Sequence, residues 1–76
     1  MNDAQRLAWL EAQAEAAYDK MYDAGNPSDA TALYSDAKEA LHCAIGLANE
    51  LGQEATAQRL MARLLHIKAV FRSQFT

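Results

Sequence analysis

The sequence predicts an all-α protein, a three-helix antiparallel bundle forming a single domain over residues 1–76. Three observations carry this. From Ala30 to Leu51, apolar residues recur at Ala30, Leu33, Tyr34, Ala37, Ala40, Leu41, Ala44, Ile45, Leu47, Ala48 and Leu51 and fill a sector about 160° wide on a helical wheel. A helix with one neighbour needs only about 100° of apolar stripe, so this segment belongs between two others. Val70, Ile45 and Ile67 are the only Val and Ile residues, too few for a sheet. Finally, Gly25-Asn26-Pro27 and Gly52 divide the chain into three periodic segments.

Helix 1 is expected over about 3–24. Asn2, followed three residues later by Gln5, has the spacing of a capping box. Leu7, Leu10, Ala14, Ala17, Tyr18 and Met21 form its apolar line. Glu11, Glu15, Asp19 and Asp23 form an acidic ladder at four-residue spacing, where like charges repel by a few tenths of a kcal/mol per pair. A solvated face is the simple reading of that ladder. Trp9 lies off the apolar line, beside Gln13, Ala16 and Lys20.

Gly25 suits the left-handed position that follows a helix end. Asn26 then caps helix 2, with Ser28 as the alternative cap, and Pro27 takes the first helical position. Helix 2 is expected over about 27–51, with Lys38, Glu39, His42, Cys43, Gly46, Asn49 and Glu50 outward. Gly52 ends it. One glycine costs only about 1 kcal/mol inside a helix, but a continuous rod would leave the wide apolar face uncovered.

Helix 3 is expected over about 53–74, with Ala57, Leu60, Leu64, Ile67, Phe71 and Phe75 on its core line. It is the basic helix: Arg59, Arg63, Lys68 and Arg72 stand against Glu54 alone. Helices 1 and 2 are acidic, so helices 1 and 3 are expected side by side. The predicted core is Leu10, Ala17, Met21, Leu33, Ala37, Leu41, Ala44, Leu60, Leu64, Ile67 and Phe71.

The segment Gly25 to Ala37, with Ala30, Tyr34 and Ala37 at small–aromatic–small spacing, resembles a tetratricopeptide repeat, a helix–turn–helix unit of about 34 residues. Leu47-Ala48-Asn49-Glu50-Leu51-Gly52-Gln53-Glu54 is similar to the junction between two such repeats. On that resemblance the chain is a tetratricopeptide-like hairpin with one extra helix, about one and a half repeats. Tyr18 and Ala14 depart from the family pattern, which wants a small residue and Trp at those places. The resemblance implies binding of a protein or peptide on a concave helical surface, and no catalytic residue.

Composition excludes much. A net charge of −3 argues against a generic nucleic-acid footprint, and the basic residues of helix 3 fall into two separate clusters. No apolar run approaches a membrane span. Nothing near Met1 has the basic and apolar regions of a signal peptide. Cys43 is the single cysteine, which suits a reducing, cytoplasmic location. His42 and Cys43 diverge by about 100° on a helix and His66 lies on another, so neither a four-ligand metal site nor a Cys–His nucleophile assembles. The acidic ladder faces away from the apolar line, whereas the carboxylates of a bundle di-metal site project inward. The expectation is therefore no enzyme, cofactor, metal or small-molecule substrate.

What remains is interaction. Met61 and Leu65 lie beside the core line of helix 3, flanked by Lys68 and Arg72, with Phe75 beyond. These five are the candidate partner-binding residues of a non-catalytic module that self-associates as a homodimer. The alternative monomeric reading bends Met61 and Leu65 toward helix 1. A second functional reading is an accessory or regulatory subunit whose acidic helix 1 meets a basic or nucleic-acid-associated partner.

Overall fold

The computed structural model describes residues 2–75. Among them are three helices and no strand: α1 (Asp3–Tyr22), α2 (Pro27–Glu50) and α3 (Glu54–Phe75). Each start follows from local chemistry. Asn2 accepts from the Gln5 amide at 2.8 Å, and the Gln5 side chain accepts from the Asn2 amide, so two helix-end donors are satisfied reciprocally. Asn26 likewise accepts from the Asp29 amide at 2.8 Å, with Pro27 in the first turn. Asn26 is therefore the cap, not Ser28.

The two turns end their helices differently. α1 stops at Tyr22, two residues before its expected end, with Asp23 as a right-handed cap. Gly25 thus lies beyond the cap and does not adopt positive φ, contrary to expectation. Gly52 does, at φ +73°. There the Gln53 amide reaches back to the Ala48 carbonyl at 2.8 Å and the Gly52 amide to Asn49 at 3.1 Å. This paired closure satisfies carbonyls that the end of α2 would leave orphaned, and it makes the second hairpin a tight reversal.

α2 lies between the other two, within a slab of 38 × 23 × 13 Å. Its wide apolar sector serves both neighbours: Ala37, Leu41, Ala44 and Ala48 are all fully buried. Met21 from α1 and Leu60 and Ile67 from α3 complete the centre. Each such large side chain contributes about 1.5–3 kcal/mol by leaving water. Two residues assigned to the core are only half-buried. Leu33 lines an open groove between α1 and α2. Phe71 stacks on Tyr34 near the end of the molecule, with ring centroids 3.9 Å apart and planes within 2°.

α1 and α3 run parallel and meet mainly through side chains. Arg59 grips Glu11 and Arg63 grips Glu15, each by two nitrogens on two carboxylate oxygens. Tyr18 and His66 meet edge to face one turn further along. The basic side of α3 thus finds the acidic ladder of α1, as their opposite charges suggest.

Candidate protein-interaction site

The α3 stripe comes first. Leu60, Leu64 and Ile67 are buried toward α2, and Arg59 and Arg63 reach α1. At about 100° per residue, Met61 and Leu65 then fall on the flank of α3 turned away from α1. Met61 is 50% exposed and Leu65 is 61% exposed, side by side at four-residue spacing. They do not bend toward α1. Arg72 is exposed on the same flank and Lys68 is half-buried. Four of the five candidate residues therefore share one face.

Phe75 does not join them. It is half-buried, lying 5.6 Å from the Phe71 ring and 6.4 Å edge-on from Tyr22 of α1. With Gln74 it borders a hollow shared with Ala24, Gly25, Asn26 and Pro27, so it packs over the α1–α2 turn. The expectation that it lies with Met61 and Leu65 is corrected: α3 continues to Phe75, where the core line passes the turn.

The acidic ladder of α1 is divided. Glu11 and Glu15 are committed to Arg59 and Arg63. The Arg59 hydrogen bond holds the Glu11 carboxyl below its ordinary range, against a smaller opposing effect of burial. Asp19 and Asp23 remain exposed. The Tyr18 hydroxyl pairs with that of Tyr22 at 3.0 Å; this bond and burial raise its pKa.

A second surface lies on the other side of the slab. An open groove of about 370 Å³ runs between α1 and α2. Buried Leu10 and Ala17 and half-buried Leu33 and Ala40 line its depth; Trp9, 50% exposed, lines it nearer solvent with Lys20, Asp36 and Glu39. Sequence reasoning missed it. Trp9 off the apolar line was the available signal, together with the alanines, which are too small to fill the angle between two helices.

His42 and Cys43 are exposed on α2, and among the described residues no three His, Cys, Asp or Glu side chains gather to hold a metal ion. Among the same residues no helix is long and apolar enough to cross a membrane. Comparison with family models, curated proteins and solved structures finds no match for the chain.

Proposed function

We propose that the chain is a small, non-catalytic protein-interaction module that self-associates through the outer flank of α3. One observation carries this reading: Met61 and Leu65 are large, adjacent and more exposed than any core requirement explains. Exposed clusters of large apolar side chains mark interaction sites. A homodimer applying one patch to itself is the commonest way to cover one. The tetratricopeptide resemblance supports the same class of function, and the single Cys43 suits a cytoplasmic setting. The accessory-subunit reading through helix 1 loses support because Glu11 and Glu15 are already paired within the chain.

Sedimentation equilibrium tests this on wild type and on Met61→Glu/Leu65→Glu. Wild type is expected to move between one-chain and two-chain mass across the micromolar to millimolar range. The double variant is expected to keep one-chain mass. A variant that still dimerises places the interface elsewhere.

A further inference from the structure

The outer stripe of α3 consists of Glu54, Gln58, Met61, Leu65, Lys68 and Arg72. On a helix these six fall within a sector of about 80°, opposite the side that carries Arg59 and Arg63 to α1. All are exposed except half-buried Lys68. Their order has a centre. Met61 and Leu65 stand two positions either side of residue 63, Gln58 and Lys68 five, and Glu54 and Arg72 nine.

Resting on the self-association proposed above, we infer that two copies meet with α3 antiparallel to α3, about a two-fold axis beside residue 63. In that register Met61 faces the partner's Leu65, and Leu65 faces the partner's Met61. Lys68 faces the partner's Gln58, and Glu54 faces the partner's Arg72. The two oppositely charged pairs lie about 14 Å from the axis, at 1.5 Å rise per residue, and bracket an apolar centre. A parallel pairing would instead set Glu54 on Glu54, Lys68 on Lys68 and Arg72 on Arg72. Charge complementarity therefore selects both the occupant, a second copy, and its direction. Arg72 is already engaged within its own chain. Its guanidinium has five donors, so the partner's carboxylate adds to that engagement. Six side chains a side are far fewer than the roughly 20–30 of a standard interface, so the dimer is weak and concentration-dependent.

Charge exchange and thiol trapping test the register. Glu54→Arg and Arg72→Glu each turn two attractive pairs into two repulsive ones and should weaken dimerisation about tenfold. Combining them should restore it to within about threefold of wild type. In a Cys43→Ser background, Gln58→Cys/Lys68→Cys should yield a covalent dimer on mild oxidation. Either single cysteine should not, because its thiol and its symmetry mate lie about 15 Å apart along the paired helices. Silent charge variants, or single cysteines that cross-link as readily as the pair, overturn the antiparallel register while leaving dimerisation through Met61 and Leu65 standing. A wild type that keeps one-chain mass up to about millimolar concentration overturns both.

Discussion

The guanidinium of Arg63 lies 4.8 Å from the ring centroid of Tyr18 while its Nε and Nη2 bond Glu15 at 2.8 and 2.6 Å. One side chain of α3 therefore holds two successive turns of α1. Lysine can supply the charge but neither the planar fork nor the flat face. Arg63→Lys is expected to lower stability by about 0.5–1 kcal/mol in urea titration, because the pair is more than a third exposed. A midpoint equal to wild type would show that the geometry contributes nothing.

Leu41 is fully buried in α2, with α1 and α3 on either side. Leu41→Ala should cost about 2–5 kcal/mol. That is enough to unfold a marginal domain of this size. A melting temperature within a degree or two of wild type would contradict the central place of α2.

Asn26→Ala should destabilise by about 1 kcal/mol, through loss of the bond to the Asp29 amide. Ser28→Ala should change little, since the cap is already made. Thermal denaturation of the two variants side by side checks this, and a larger loss at Ser28 would overturn the assignment.

Two glycines should respond with opposite sign. Gly46 is exposed within α2 and an added Cβ meets nothing within 4 Å, so Gly46→Ala should stabilise by about 0.5–1 kcal/mol. Gly52 also has open space, but its φ of +73° penalises any side chain. Gly52→Ala should cost about 1–2 kcal/mol. Chemical denaturation reads both.

Acid should loosen the α1–α3 contact. The Glu11 carboxyl is held below its ordinary pKa by Arg59, so its stabilisation is fully present above the unfolded value. It is lost as pH falls through the lowered folded value. With Arg59 59% exposed, the effect should stay below about 1 kcal/mol. Glu11→Gln should be less stable than wild type at neutral pH and converge with it at low pH. A constant difference from pH 7 to pH 2 would contradict this.

The parts legible in the sequence are those set by neighbouring residues or by one helical face. Asn2 with Gln5, and Asn26 with Pro27, fix helix starts within a few positions. The wide face of α2 announces two neighbours before either is seen. Opposite charges on helices 1 and 3 anticipate Glu11–Arg59 and Glu15–Arg63. Gly25 misled because which residue of a turn takes positive φ depends on where the helix ends, and α1 ended early. The Trp9 groove was hidden because a wheel tells which side chains face a neighbour, not how far two helix axes diverge. Phe75 follows the core line on which the sequence puts it, and its grouping with Met61 and Leu65 failed because its neighbour is the α1–α2 turn, a feature without helical period.

The sequential order of packing, with α2 between its two chain neighbours, bears on how fast the molecule forms. Only two short turns need closing before each helix meets its main partner, and short loops close at little entropic cost. Low contact order of this kind places folding in the microsecond to millisecond range. The side-chain ties between α1 and α3, which span 48 residues of sequence, can then be added after the backbone layout is set. They should act on the unfolding rate more than on the folding rate.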